Sequence, residues 1–184
     1  DLREPLVIKL SDPQKNETSY VLWHKGKSTV IIPPTTRHIQ SFNYSRSLDS
    51  FSWIEEDYNL PPRLVYKKLN KMELILFRSN KADTATIHLK QEIISNTNSD
   101  GVQLKGILYY PLHFTPLFTY PMVVHVYQVQ SNSMVNRYPV STFGKPNNDG
   151  LDLRLLLEKG YFVYFPDIVY DARGTGLSAL DCVN

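Results

Sequence analysis

The run VQLKGILYYPLHF (residues 102–114), then YPMVVHVYQ (120–128), then LLLEKGYFVYFPDIVYDARGTGLSALD (155–181) decides the fold. Taken by period, it is a polar lead-in, an alternating strand, a buried strand, an amphipathic helix, a second buried strand, a glycine turn and a helix start. That order opens an α/β sheet. Met122 to Tyr127 is nearly continuous apolar sequence, the pattern of a strand covered on both faces. Leucines at 151, 153, 155, 156 and 157 predict a helix over about Asp152 to Lys159, with Gly160 as its stop. Tyr161 to Asp167 is the next strand, and Ser178 with Asp181 three residues on has the form of a helix cap.

Working back toward the N-terminus, the first 80 residues read as β throughout. LVIKL, SYVLWHKGK, STVII, FSWIEED, RLVYKKL and MELILFRS are short runs rich in β-branched and aromatic residues. Turn formers separate them: Asp12-Pro13, Lys25-Gly26-Lys27, Pro33-Pro34, Leu48-Asp49-Ser50, Pro61-Pro62 and Asn70-Lys71. A spacing of about ten residues suits antiparallel meanders, as in a sandwich or propeller blades. The segment from Ser79 to Gly101, polar at both ends, is expected to cross a domain boundary.

The chain has 184 residues, 42% of them hydrophobic, enough for one ordinary domain or for pieces of two. Its formal charge of +2, with both signs interspersed, lacks the basic footprint of a nucleic-acid binder. No stretch approaches the roughly 18 apolar residues of a membrane-spanning helix. One cysteine, Cys182, excludes an internal disulfide framework and is read as a buried structural thiol. The first residue is Asp1 and no signal pattern precedes it, so the chain is expected to be clipped at both ends.

Several short patterns invite chemistry. Gly26-Lys27-Ser28 has the close of a phosphate loop, but Val21 stands where the motif needs its first glycine, so a hairpin turn is expected. Residues 174–179, GTGLSA, fit a dinucleotide fingerprint. The strand before them comes too late in the sheet for that role, and the acidic ribose partner would fall beyond the end of the chain. His24, His38, His88, His113 and His125 show no metal-ligand spacing, and His125 reads as a hydrogen-bonded core residue. Glu55, Glu56 and Asp57 are adjacent carboxylates whose alternation along a strand works against a catalytic pair. Asn16-Glu17-Thr18 and Asn43-Tyr44-Ser45 fit the glycosylation sequon.

With these pieces in order, DGVQLKGILYYPLHFTPLFTYPMVVHVY, LLLEKGYFVYFPD and RGTGLSALD resemble the prolyl oligopeptidase family of serine peptidases, in particular its dipeptidyl-peptidase-IV-like branch. The resemblance implies a mixed fold: the C-terminal strands of a β-propeller over residues 1–80, then the first half of an α/β-hydrolase domain over residues 81–184. It also implies that Tyr127, in HVYQ, matches the tyrosine whose hydroxyl helps form the oxyanion hole. A phenol donor there strengthens as negative charge develops on the carbonyl oxygen. The family's glycine-rich loop is replaced by Gln128-Val129-Gln130-Ser131, and a strand-capping tyrosine is the other reading of Tyr127. Arg173 would anchor the following turn. The Gly-x-Ser-x-Gly elbow, and the acid and histidine that follow it, are absent from these residues.

The implied parent hydrolyses short peptides through an acyl-enzyme on a serine elsewhere, with this chain alone inactive. Its partner is a peptide substrate, with no metal or organic cofactor and no nucleic acid; homodimerisation is left open. The family resemblance alone points to a periplasmic or secreted setting. A non-catalytic propeller/hydrolase-like binding protein, or an esterase of the α/β-hydrolase class, remain the alternatives.

Overall fold

The computed structural model describes residues 4–98, 101–132, 135–140 and 151–168. It falls into two compact units. The first holds the described residues up to Thr86 together with Asn136–Tyr138, and the second holds the remainder from Ile87 onward.

The first unit contains two antiparallel sheets. One is the meander β1 (Leu6–Asp12), β2 (Glu17–His24) and β3 (Lys27–Thr35). The other is β4 (His38–Tyr44), β5 (Ser50–Asp57), β6 (Leu60–Lys68) and β7 (Leu74–Arg78), also in sequence order. The tight turn between β2 and β3 carries Lys25 and Gly26 at positive φ, 49° and 77°, as a two-residue hairpin with primed geometry requires. Gly26 is therefore turn material and not part of a phosphate loop. The buried core joins Ile31, Ile32, Ile39, Phe51, Trp53 and Val65 with Tyr20. Phe42 stacks on Tyr20 at 4.2 Å and lies within 6.3 Å of both Phe51 and Trp53. Each such large side chain taken out of water contributes roughly 1.5–3 kcal/mol.

Both proline pairs depart from their reading as separators, because each lies inside a strand. On β3, Thr35 pairs with Thr18 and Ile32 with Tyr20, so Pro33 and Pro34 together oppose Ser19. On β6, Leu60 pairs with Asp57 and Arg63 with Glu55, so Pro61 and Pro62 together oppose Glu56. Two residues against one is a bulge, the place where a sheet tolerates residues without an N–H. The Pro62 carbonyl is still used, accepting from the Ser79 amide at 3.0 Å and hydroxyl at 2.7 Å.

The second unit is a four-stranded mixed sheet of order β10-β11-β9-β8. A 3-10 turn, Thr84–His88, precedes β8 (Gln91–Thr97), which pairs antiparallel with β9 (Gln103–Tyr109). Next come β10 (Met122–Val124), helix α1 (Leu153–Glu158) and β11 (Phe162–Pro166). β11 runs parallel to β10 and antiparallel to β9. Parallel neighbours need a crossover, and α1 lies within it. The helix starts at Asp152, whose carboxylate accepts from the Leu155 amide at 3.0 Å. It stops where Gly160 takes φ 85°, with Gly160 N donating to Leu157 O and Tyr161 N to Leu156 O. Those two bonds are the glycine-terminated closure that the sequence predicts.

Ile107, Tyr109, Val163, Phe165, Leu157 and Leu112 form the buried side of this unit. Gly106 is required in β9, since a Cβ there would lie 2.5 Å from the Tyr164 ring. Two details differ from the expectation for residues 122–127. The strand ends at Val124, and Met122 and Val124 are each about half exposed, at 52% and 50%. The reason is position. β10 is the edge of the described sheet, and after His125 donates its amide to Tyr164 O at 2.9 Å the chain turns away from the ladder.

Candidate functional site

The carboxyl ends of β10 and β11 lie side by side because the strands are parallel neighbours. In open α/β sheets that end is where ligands bind. β11 delivers Asp167 there, its amide donating to Lys105 O at 2.8 Å. The Asp167 carboxylate is buried and collects the segment that follows β10. One oxygen, Oδ1, accepts from the Gln130 amide at 2.7 Å and the Ser131 amide at 2.8 Å. Oδ2 accepts from the Ser131 hydroxyl. The Gln130 side chain closes the turn from within, donating to His125 O at 3.3 Å. Gln130 and Ser131 are buried as a result, although both are polar.

Tyr127 sits on this pinned turn, 63% exposed, and its hydroxyl has no hydrogen-bond partner among the described residues. A phenol presented in this way can donate to an incoming acceptor. The turn has no glycine, and Asp167 holds it through Gln130 and Ser131. His125 is half-buried, its ring 5.2 Å from Phe165, and its Nδ1 is buried without a hydrogen-bond partner. It is therefore a packed histidine, but not the hydrogen-bonded one expected. Burial, followed by the nearby Asp167 charge, pushes the Tyr164 phenol above its ordinary range.

The other residues singled out by sequence have partners of their own. Glu55 and Glu56, both buried on β5, have different partners, Glu55 taking Arg63, Arg37 and Trp53 and Glu56 taking Gln40 and the Tyr138 amide. Glu55 accepts from Arg63 Nε at 2.7 Å, Arg63 Nη2 at 2.5 Å, Arg37 at 3.0 Å and the Trp53 indole at 3.0 Å, a structural hub. Burial raises Glu56 above the usual carboxylate range, opposed by the Tyr138 amide, and burial raises Asp57 in the same direction. Burial lowers His38, with Arg137 and Lys9 adding to it. His88 and His113 come together, ring centroids 5.5 Å apart, a proximity that sequence spacing does not reveal. Among the described residues no three His, Cys, Asp or Glu side chains converge on a common point, and no helix is long and apolar enough to cross a membrane. Residues 174–179, Arg173, Ser178, Asp181 and Cys182 lie outside the described residues.

The Asp167–Ser131 anchor is the feature that sequence reasoning missed. A usable signal was present: an aspartate directly closing an apolar strand, FVYFPD, needs a partner if it is buried.

Neither a protein-family model nor a curated protein sequence matches the chain. Solved structures do, peptidases among them. Porphyromonas gingivalis dipeptidyl peptidase 4 superposes with a TM-score of 0.63 at 16% identity, over 91% of this chain and 23% of that one. AtxE2 isopeptidase in its apo form gives 0.61 at 17% identity, over 91% and 24%. Pyrococcus horikoshii acylaminoacyl peptidase gives 0.60 at 16%, over 89% and 23%. At such identities the likeness is one of fold: mostly antiparallel β sheets with few helices, shared with a segment of peptidases. The chain spans about a quarter of the length of the structures it matches.

Proposed function

We propose that this chain is part of a serine peptidase of the prolyl oligopeptidase type, most like the dipeptidyl-peptidase-IV branch. In this reading residues 1–80 supply the last strands of a β-propeller, and residues 81–184 the first half of an α/β-hydrolase domain. The observation that carries it is the order of sheets. Two antiparallel meanders are followed by a mixed sheet whose β10-α1-β11 crossover makes a parallel pair, and peptidases match this succession over about nine-tenths of the chain. Mixed sheets with antiparallel strands at one side are common among α/β enzymes.

The parent would hydrolyse short peptides through an acyl-enzyme. These residues hold no Gly-x-Ser-x-Gly elbow, so the nucleophile, acid and base would come from another part of it. Tyr127 is the residue of this chain assigned to the reaction. As the peptide carbonyl becomes tetrahedral, its oxygen gains negative charge, and a phenol held on a rigid turn stabilises that charge more than it stabilises the ground state. Asp167 and Ser131 are positioning residues that hold the turn. The exposed hydroxyl on a pinned turn at the carboxyl end of parallel strands supports the assignment.

The test is a fluorophosphonate probe applied to the full-length parent and to this chain. Covalent labelling of a serine in the parent, and none in the chain, is the expected result. A full-length parent that is folded, unlabelled and inert toward proline-containing dipeptide reporters would overturn the peptidase reading in favour of a non-catalytic relative.

A further inference from the structure

We propose that the cleft beside the C-terminal end of β7 binds the carboxylate of a small ligand, of the kind carried by the last residue of a peptide, through Arg78 and Lys81. The cleft measures about 250 Å³, and Leu60, Pro61, Arg63, Arg78, Lys81 and Asp83 are among its walls. It lies wholly within the first unit and is independent of the peptidase assignment.

Charge placement carries the argument. Arg63 on β6 and Arg78 on β7 are direct cross-strand partners, an arrangement of like charges that weakens a sheet unless something intervenes. Arg63 is already paired, because Glu55, a carboxylate that Arg37 shares, takes both its Nε and its Nη2. Arg78 and Lys81 have no acidic partner among the described residues. The one acid in the wall, Asp83, is engaged elsewhere. Its Oδ1 accepts the Ala85 amide at 3.2 Å, and its Oδ2 accepts the Tyr138 hydroxyl. By formal charge, the three cations Arg63, Arg78 and Lys81 exceed the two carboxylates Glu55 and Asp83 by one, although neither carboxylate forms an ion pair with Arg78 or Lys81.

One unit of charge matches a carboxylate better than a doubly charged phosphate. An arginine fork at a strand end offers two parallel donors to the two oxygens of that group. Leu60 and Pro61 add apolar surface to the lining for a short aliphatic body. The volume admits little more than one such residue, since sites for drug-sized ligands start at roughly 300 Å³.

Calorimetric titration of the chain with N-acetyl-glycyl-leucine, with the same dipeptide as its C-terminal amide, and with inorganic phosphate separates the alternatives. The free acid is expected to bind at least about ten-fold more tightly than the amide, the scale of one lost charge-assisted pair. Arg78→Gln should weaken the free acid about ten-fold, with Arg78→Lys intermediate, while tryptophan fluorescence stays unchanged as a check on folding. Equal binding of acid and amide, undiminished binding by folded Arg78→Gln, or phosphate binding more tightly than the dipeptide acid would each overturn the proposal.

Discussion

Ser131 donates both its backbone amide and its hydroxyl to the carboxylate of Asp167, across 36 positions of sequence. With the Gln130 amide on the same carboxylate, one buried side chain fixes the path of the segment leaving β10. Asp167→Ala strands these donors in the interior, and unmet buried donors cost about 1–3 kcal/mol each. Asp167→Ala is therefore expected to lose about 3 kcal/mol in urea unfolding, and Ser131→Ala about 1 kcal/mol. Amide exchange at Gln130 and Ser131 should accelerate in the first variant. Protection factors unchanged there would mean the turn is held by something else.

Glu55 is the counter-charge of the first unit. Its side chain is 3% exposed against 15% for Arg63, so removing it leaves a guanidinium with little water to replace the carboxylate. Glu55→Ala is expected to destabilise by about 3–5 kcal/mol, as broken buried pairs do. The indole of Trp53 loses its acceptor in the same step, so the emission of this residue should shift. A variant with wild-type stability and emission would refute the hub.

Acid titration separates two kinds of carboxylate. Asp49 accepts from the hydroxyls of Ser45, Ser47 and Ser50, which hold its pKa down at about 2 against an ordinary 3.8. A depressed acid adds stability above its unfolded value and loses it as pH falls through the folded one, so this contribution disappears between about pH 4 and 2. Glu56 and Asp57 are raised by burial, and protonating them relieves strain as pH falls. The carboxyl resonance of Asp49 should titrate last of the three. Finding it near 4 would remove the hydroxyl cluster from the account.

In the full-length parent, Tyr127→Phe is expected to lower kcat about 100-fold with KM little changed, since the lost donor acts on the developing oxyanion. Both parameters unchanged in a folded protein would make Tyr127 a structural residue.

β7 is an edge strand, and Leu74, Ile75, Leu76 and Phe77 are all exposed along it. Such an edge templates pairing with another chain, and a charge upon it is the usual remedy. The 184-residue chain is expected to self-associate, and Leu76→Lys to reduce this strongly in sedimentation velocity. A monodisperse monomer without the substitution would count against the exposed edge.

Much of the architecture was legible from local chemistry. Strand-length runs such as LVIKL and FSWIEED lie in β1 and β5, and the leucine-rich run before Gly160 is α1. β4 was not legible. Its alternation is broken where Ser41 takes φ 51° and the register slips between Gln40 and Asn43, so a polar, irregular sequence pairs as a strand through tertiary context. The prolines misled for a related reason, since a bulge needs a two-against-one register that only the partner strand defines. Of the candidate site, Tyr127 was legible as a residue, but its anchor was not. A carboxylate and a serine 36 positions apart share no periodic signal.

The close approach at Gly106 reaches past this one chain. Because the Tyr164 ring fills the space a side chain would take, the two positions are free to vary only together. A relative with alanine or larger at 106 is expected to carry something slimmer than tyrosine at 164. Joint substitution of the two across a set of homologous sequences would reveal, without any coordinates, that these strands are neighbours.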